Sequence, residues 1–416
     1  MPATFTSAHV RIFVVYLCAY FLSYFFRSAN AVIADDLMRD LSLTAEQLGR
    51  MTSIFFVPFA LAQLPAGVAF DRCGARWVTP IVMFTGVLGL ALFATANSFT
   101  MLTIGRALIG LGTSAILMGA FTSFSRWFPA SQLASVFSVL VGLGAFGGIG
   151  AATPLALLNR TFGWRAVFAG GSVVFLASAL AILIWGQDAP RPEHAARDTT
   201  GTFADIFRSL PFWRIGLVNF AMTSALFAFQ GLWAGPYLLD AIGLSEVAMG
   251  NILTALGLGA ITGFFVCGIL ADKFGIAKTF VGACSLLTIL LGLISVFPSD
   301  GARILLAGLF FSYGLCGAFS LLALSDVRRV FPANMTGRAA TAINLCGFGG
   351  SALVQWGVGV FVSTFALNEA GRYPGVAYRS AFAGMGVICL LALVVYLPRL
   401  RMVLKLRRQR RIQSVS

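Results

Sequence analysis

The chain has 416 residues, of which 58% are apolar and only 11% are charged, and its formal net charge is +14. A soluble globular protein carries about 25% charged residues, so this composition excludes that class. The apolar residues come in uninterrupted runs near ~20 residues, which is the length of a membrane-crossing helix. They do not alternate with polar residues as the strands of a membrane barrel do. The sequence therefore predicts an all-α integral membrane protein.

Twelve membrane spans are predicted in chain order. Each is an apolar run bounded by short polar or charged segments, as hydropathy analysis requires. An even number of spans leaves both termini on one side of the membrane. The predicted spans one to twelve are 11–33, 48–70, 77–96, 100–122, 132–157, 164–186, 213–239, 247–270, 278–297, 303–324, 339–365 and 378–397.

The distribution of basic residues predicts the orientation. The side with both termini carries 20 Lys and Arg residues, the opposite side carries 7, and two arginines lie inside spans. Cytoplasmic loops are enriched in Lys and Arg, so both termini are predicted to be cytoplasmic. The expected location is the bacterial inner (plasma) membrane, with the chain as a multi-pass monomer. The surplus positive charge indicates topology and contact with anionic lipid rather than nucleic-acid binding.

The sequence offers no arrangement typical of an enzyme, a metal site or a cofactor site. The seven cysteines are scattered without a CxxC pair, and the two histidines are isolated in predicted cytoplasmic segments. No nucleophile–base pair or phosphate-binding loop is evident, and the glycine-rich stretches lie inside predicted membrane helices. We therefore expect neither catalysis, nor a bound metal, nor a cofactor.

An internal repeat divides the chain into two related halves. The motif Gly67-x-x-x-Asp71-Arg72-x-Gly74-x-Arg76 returns 201 residues later as Gly268-x-x-x-Asp272-Lys273-x-Gly275-x-x-Lys278. We call these two segments the signature turns. Two further motifs recur at a similar offset, Arg126-Trp-Phe-Pro129 as Arg329-Val-Phe-Pro332 and Phe146-Gly147-Gly148 as Phe348-Gly349-Gly350. The predicted domains are a six-helix bundle at 1–186, a cytoplasmic linker at 187–212, a second six-helix bundle at 213–398 and a basic tail at 399–416.

With these motifs the chain resembles the major facilitator superfamily. The signature turns and Arg106-x-x-x-Gly110-x-Gly112 in span four carry the resemblance, which extends over essentially the whole chain. It implies two parallel six-helix halves with the substrate between them. It also implies that the signature turns and neighbouring loops act in gating, through pairs that close the cytoplasmic side. The gating candidates are Asp71, Arg72, Arg76, Arg126, Asp272, Lys273, Arg328 and Arg329.

Two arginines lie deep in the predicted spans, Arg27 in span one and Arg106 in span four. At 1.5 Å rise per residue they lie ~12 and ~13 Å below the outer ends of their spans. A charged side chain at mid-membrane costs at least ~2.5–3.5 kcal/mol, and no Asp or Glu is predicted well within a span. These arginines favour an anionic substrate as the missing countercharge. For Arg106 the alternative remains open that it bonds helix carbonyls and has a structural role.

Polar residues at helical spacing extend this candidate site. In span one Tyr16, Tyr20, Ser23, Arg27 and Asn30 share one face, and span seven carries a similar stripe. Such a face usually points toward water or substrate, although hydrogen bonding between helices is the alternative. Besides the two arginines, the substrate-binding candidates are Tyr20, Asn30, Gln230, Trp233, Tyr237, Tyr313, Asn344 and Gln355.

The sequence favours a secondary transporter that imports a small organic anion, a carboxylate or a phosphate-like group, by alternating access. The alternative is proton-driven efflux of an amphipathic compound, which the glycine-rich fifth span and the 39 phenylalanines support. Asp36 and Arg106 are the candidates for proton coupling, and uniport or exchange stays open. A receptor without flux is disfavoured because the loops are short.

Overall fold

A computed structural model describes residues 7–186, 203–298, 301–332, 335–369 and 371–413. All regular secondary structure in these ranges is helical, so the expected all-α class is confirmed. Ten helical segments within them are long and apolar enough to cross a membrane. The other two predicted spans, two and five, are present but interrupted. The division into bundles, linker and tail stays a prediction, and 187–202 lies outside the described residues.

The first half contains spans one to six. Spans two and five both lie here: span two breaks before Phe56, and span five breaks at Ala145 and again before Thr153. Breaks at Ala29 and Ala115 also divide the helices of spans one and four. Gly163, at φ 77°, separates spans five and six within one long helix. In order, the helices are Ser7–Ser28 and Asn30–Leu41 (span one), Ala45–Ser53 and Phe56–Cys73 (two), Ala75–Ala94 (three), Phe99–Ser114 and Ile116–Trp127 (four), Ala130–Gly144, Phe146–Gly150 and the start of Thr153–Trp185 (five), and the remainder of that helix (six).

The second half repeats this order after a short helix, Phe203–Phe207. Span seven contains two π-helical turns, where one extra residue enters the turn. The helices are Leu210–Ala228, Phe229–Trp233 (π), Ala234–Pro236 and Tyr237–Ala241 (π) for span seven, Glu246–Phe274 (eight), Ile276–Ser295 (nine), Arg303–Ala318, Phe319–Leu321 (3₁₀) and Leu322–Val327 (ten), Thr336–Ser363 (eleven) and Gly375–Gln413 (twelve).

The signature turns have the same backbone conformation in both halves. Each reverses the chain at a glycine with positive φ, 80° at Gly74 and 93° at Gly275. Side-chain-bearing residues rarely adopt this region, which explains why the repeat has glycine at this position. We call the side of the protein that carries both signature turns the signature side, and the other the opposite side.

The two halves touch closely on the opposite side. A methyl group placed on Gly235 of span seven would lie 1.6 Å from the carbonyl oxygen of Ala31 in span one. A methyl on Gly49 of span two would lie 3.1 Å from Cα of Gly359 in span eleven. Small residues permit such close backbone approach between membrane helices. The opposite side is therefore closed by contacts between the halves.

Span twelve differs from its predicted end. Its helix continues into the predicted tail, and Arg399 is 6% exposed rather than a solvated tail residue. Its guanidinium donates to both carboxylate oxygens of Asp326 at 2.7 and 2.8 Å, and Tyr396 donates to the same carboxylate at 2.7 Å. Asp326, at the end of span ten, thus has its partner within the second half.

Candidate functional site

A cavity of ≈ 250 Å³ lies between the two halves. Arg27 lines it, and the cavity extends from that level toward the signature side along spans one, two, four, five, seven, eight, ten and eleven. Its lining is mostly aromatic and aliphatic, and Arg27 is the one charged residue among the lining residues that the structure describes. The lining residues are Tyr20, Ser23, Tyr24, Arg27, Phe59, Gln63, Thr113, Ser114, Leu117, Met118, Phe137, Val141, Asn219, Thr223, Leu226, Phe227, Phe264, Phe265, Ser320, Leu321, Leu324, Asn344, Gly347 and Phe348.

Arg27 is surrounded by aromatic rings instead of acids. Its side chain is 4% exposed, and within the described part of the chain it has neither an ion pair nor a hydrogen-bond acceptor. Five ring centroids lie 4.9–5.9 Å from its Cζ, a distance at which a ring attracts a cation. The rings belong to Tyr24, Phe55, Phe59, Phe227 and Phe348. We call this group the aromatic cage.

Arg106 has a different environment, although it lies next to Arg27. Its guanidinium donates to the carbonyl oxygens of Phe26 at 2.6 Å and Arg27 at 3.1 Å. These carbonyls lie where the first helix of span one ends, and helix ends leave carbonyls without helical partners. Arg106 is 1% exposed and does not line the cavity. These bonds match the structural alternative for Arg106, and its part in substrate binding and proton coupling stays a prediction.

Two other predicted contact residues, Tyr20 and Asn344, line the cavity with Arg27. Asn30 does not; its amide is fully buried and donates to Thr52 Oγ1 at 2.9 Å. The remaining five predicted contact residues also lie outside the cavity lining. They are Gln230, Trp233, Tyr237, Tyr313 and Gln355.

Those five residues belong to the closed or interior parts of the fold. Trp233 donates its indole N–H to the carbonyl of Gln355 at 3.0 Å, and Tyr237 donates to the carbonyl of Ile294 at 2.9 Å. Tyr313 packs against Phe229 with ring centroids 4.5 Å apart. The span-seven candidates lie outside the cavity for two reasons. They are farther from the signature side than Arg27, at the level where the halves touch. In addition, the π-turns change the direction of their side chains.

The aromatic cage is the feature that the sequence analysis did not identify. Phe348 was noted only as part of a repeated Phe-Gly-Gly motif, yet its ring lies 5.7 Å from the Arg27 guanidinium. Its counterpart in the first half, Phe146, is 41% exposed on the protein surface and does not line the cavity. The two copies of this motif thus place their phenylalanines in different surroundings. No signal in one sequence separates these two phenylalanines.

The gating candidates lie on the signature side, and the structure gives them various partners. The side chain of Asp71 lies outside the described set. Arg76 donates to the carbonyl of Leu183 at 2.9 Å, and the Lys273 ammonium lies 5.4 Å from the Phe274 ring centroid. Arg72 is exposed and Arg126 partly buried. Asp272, Arg328 and Arg329 are exposed, and among the described residues no ion pair joins them.

Asp36, the acidic candidate for proton coupling, lies on the opposite side and is bonded within the first half. It accepts from Asn159 Nδ2 at 2.5 Å and pairs with Arg39. One turn further, Asp40 accepts from the indole of Trp164 at 3.0 Å and from Arg165 at 2.9 Å. These two donors, the indole first, lower the pKa of Asp40.

A second cavity of ≈ 480 Å³ lies on the opposite side, between the ends of spans one and seven and the loop before span twelve. Its charged lining consists of Asp35, Arg39, Asp240 and Arg372. Asp240 accepts from Tyr378 at 2.7 Å, and its carboxylate lies 3.8 Å from Arg372. The sequence analysis gave no role to Asp240.

A family model described as Major Facilitator Superfamily matches residues 16–355. The chain belongs to the major facilitator superfamily. This family consists of membrane transport proteins, so the expectation that the chain is not an enzyme is confirmed. It also agrees with the arrangement described above, in which the cavity that Arg27 lines lies between two six-helix halves.

The relatives of this family member include transporters of acids. The chain is 26% identical to the hexuronate transporter of Bacillus subtilis (strain 168), over 74% of the chain and 77% of the relative. It is 27% identical to the sialic acid transporter NanX of Escherichia coli (strain K12), over 83% and 89%. A probable sulfoacetate transporter, SauU of Cupriavidus necator, is 23% identical over 91% and 84%.

Solved structures share the fold. A bacterial homologue of the human lysosomal transporter Spinster, in an inward-facing and unoccupied conformation, superposes with a TM-score of 0.78. The match covers 96% of this chain and 98% of the other at 17% identity. A D-xylose–proton symporter superposes with a TM-score of 0.75 at 16% identity, over 94% and 98%. The twelve-helix fold of two parallel halves is thereby confirmed.

Proposed function

We propose that this protein is a secondary transporter that imports a small organic anion across the bacterial inner membrane by alternating access. The observation that carries the proposal is the Arg27 guanidinium, which reaches the cavity between the halves without a carboxylate or hydrogen-bond acceptor in the described chain. The hexuronate, sialic acid and sulfoacetate named for the relatives are organic anions. Their transporters support the same substrate class for this chain.

The physical argument rests on the cost of an unpaired buried cation. A mid-membrane arginine costs at least ~2.5–3.5 kcal/mol, and a carboxylate on its open edge adds charge-assisted hydrogen bonds, which are the strong ones. The aromatic cage contains Tyr24, Phe55 and Phe59 from the first half and Phe227 and Phe348 from the second. An anion held there touches both halves, so its binding affects how they move against each other.

In this proposal the signature side faces the cytoplasm, in accord with the predicted topology. When the opposite side opens, the signature turns and neighbouring loops of the two halves come together and the signature side closes. The proton, where one is used, is carried by the substrate carboxylate or by Asp36. The contacts that close the opposite side here correspond to the cytoplasm-open state of the cycle.

Transport assays on Arg27 variants test the proposal. Cells that express the chain are given radiolabelled glucuronate, tartrate, sialic acid, sulfoacetate and cyclohexanecarboxylate. We expect at least one anion to accumulate, Arg27→Lys to retain part of the uptake, and Arg27→Gln to abolish it. Arg50→Gln is the control, because Arg50 is an exposed cation over the Phe99 ring and away from the cavity. Undiminished uptake by Arg27→Gln would refute the anion site.

A second candidate function, proton-driven efflux of an amphipathic compound, is supported by the apolar cavity lining. The two functions differ in direction and in dependence on charge. Everted vesicles that accumulate a lipophilic cation or a neutral dye in the presence of a proton gradient, equally with Arg27 and with Arg27→Gln, would favour efflux. Accumulation of an anion by whole cells, lost in Arg27→Gln, favours uptake.

A further inference from the structure

We propose that the substrate carries a single carboxylate on an apolar body, in contrast to the hexuronate and sialic acid named for two of the relatives. This inference rests on the proposed function and concerns the same cavity. It follows from three features of the cavity: the number of available cations, the state of its hydrogen-bond donors and the composition of its walls.

The cavity provides one cation for an anionic group. Arg106, which lies next to Arg27, donates to the carbonyls of Phe26 and Arg27 and does not line the cavity. Among the residues that the structure describes, the lining contains no lysine and no other arginine. A second carboxylate on the substrate would be transferred out of water into a cavity that offers it no cation. Burying an unpaired charge is costly. The site therefore fits one negative charge.

Several polar side chains in the lining are already occupied. The hydroxyls of Thr113 and Ser114 donate to carbonyls of their own helix at 3.0 and 2.6 Å. Thr223 donates to Asn219 at 3.1 Å, and the amide of Asn219 donates to the carbonyl of Ile343 at 2.8 Å. A sugar acid buries several hydroxyls, each of which needs a partner to offset its loss of water. The polar side chains that remain in the described lining are Tyr20, Ser23, Tyr24, Gln63, Ser320 and Asn344, against thirteen apolar residues, Gly347 included. Most of the surface of a buried substrate therefore meets apolar side chains.

The walls next to Arg27 are flat and aromatic. Phe59 and Phe348 meet with ring centroids 4.8 Å apart, and Phe227 stacks on Phe348 at 5.8 Å. A guanidinium can stack its face on rings while its edge donates to a carboxylate. An apolar body adjoining that carboxylate then lies against the same rings. The ≈ 250 Å³ of the cavity is below the ~300–1,000 Å³ of pockets for drug-sized ligands, so the body is small.

Four ligands with one ring size test the inference by binding to the purified protein in nanodiscs. They are cyclohexanecarboxylate, its neutral amide, cyclohexane-1,3-dicarboxylate and glucuronate. We expect calorimetry to rank cyclohexanecarboxylate as the tightest binder, with each of the other three at least tenfold weaker. Arg27→Gln should remove its binding and Arg27→Lys should weaken it, whereas Arg50→Gln should leave the dissociation constant unchanged. Phe348→Leu should weaken it several-fold, because the ring contact is lost while apolar character is kept.

The outcomes separate this inference from the proposed function. If glucuronate or the dicarboxylate binds as tightly as cyclohexanecarboxylate, and does so only with Arg27 present, the organic-anion function stands and the apolar monocarboxylate is refuted. If the amide binds like the carboxylate and Arg27→Gln changes nothing, both are refuted. Absence of cyclohexanecarboxylate binding by monodisperse, folded protein also refutes the inference.

Discussion

Arg106 donates two hydrogen bonds to carbonyls at the break in span one, whereas Arg27 donates none within the described chain. The two arginines are therefore expected to affect folding in opposite ways. Arg106 joins span four to span one and satisfies carbonyls that the helix leaves unpaired. Arg27 keeps a desolvated charge close to rings that only partly compensate for it.

Stability measurements on the two variants test this difference. Arg106→Gln should destabilise the protein, since hydrogen bonds from a charged donor contribute about 1.5–3 kcal/mol each. Arg27→Gln should leave the unfolding temperature unchanged or raise it, since it removes a charge that is costly in a membrane. Thermal unfolding of both variants in the same detergent measures the contrast. An equal loss of stability in both would contradict the assignment of separate roles.

At the scale of helices, the repeat in the sequence predicted the order, the number and most bounds of the spans. It could not predict the interruptions in spans two and five or the π-turns in span seven, because these depend on packing between helices rather than on local apolar pattern. The effect of the π-turns is visible on the polar face of span seven. Asn219 and Thr223, before the π-turns, line the cavity, while Trp233 and Tyr237, within them, bond to backbone carbonyls outside it.

The end of span twelve is a further feature that the sequence could not predict, here because a charged residue is buried. A run of basic residues after an apolar span predicts a solvated tail, and only the fold shows that Arg399 reaches back to Asp326 on span ten. The pair is buried, with side chains 7% and 4% exposed. Such pairs contribute little beyond apolar replacements, but the loss of one partner leaves a buried charge alone.

Variants of this pair should therefore behave non-additively. Arg399→Gln alone is expected to cost about 3–5 kcal/mol, because the Asp326 carboxylate loses its countercharge. The double change Asp326→Asn with Arg399→Gln should recover much of that loss. The neighbouring Arg401 is exposed, so Arg401→Gln should lie within about 0.5 kcal/mol of the parent. Thermal unfolding of the parent, the single variants Arg399→Gln and Asp326→Asn and the double variant gives the coupling, and additive losses would exclude a dominant ion pair.

For the whole molecule, the contacts between the halves determine which side is open. The described structure brings spans one and seven together so closely on the opposite side that Gly235 leaves no room for a methyl group. Gly147 provides a matched contact inside the first half, where a methyl would lie 1.9 Å from the carbonyl oxygen of Phe21. The two glycines thus differ in whether their contact is broken during alternating access.

Alanine at these two glycines should have different consequences. Gly235→Ala is expected to push the halves apart on the opposite side and to shift the population toward the state open on that side, since only the closed state holds the clash. Gly147→Ala should lower stability in both states and leave their ratio unchanged. Spin labels are attached at the exposed Ser42 and Leu367 in a variant from which the seven native cysteines have been removed. Pulsed electron paramagnetic resonance then measures the distance between the two labels. A longer Ser42–Leu367 distance in Gly235→Ala alone supports closure by this contact, and identical distance distributions in both variants would rule it out.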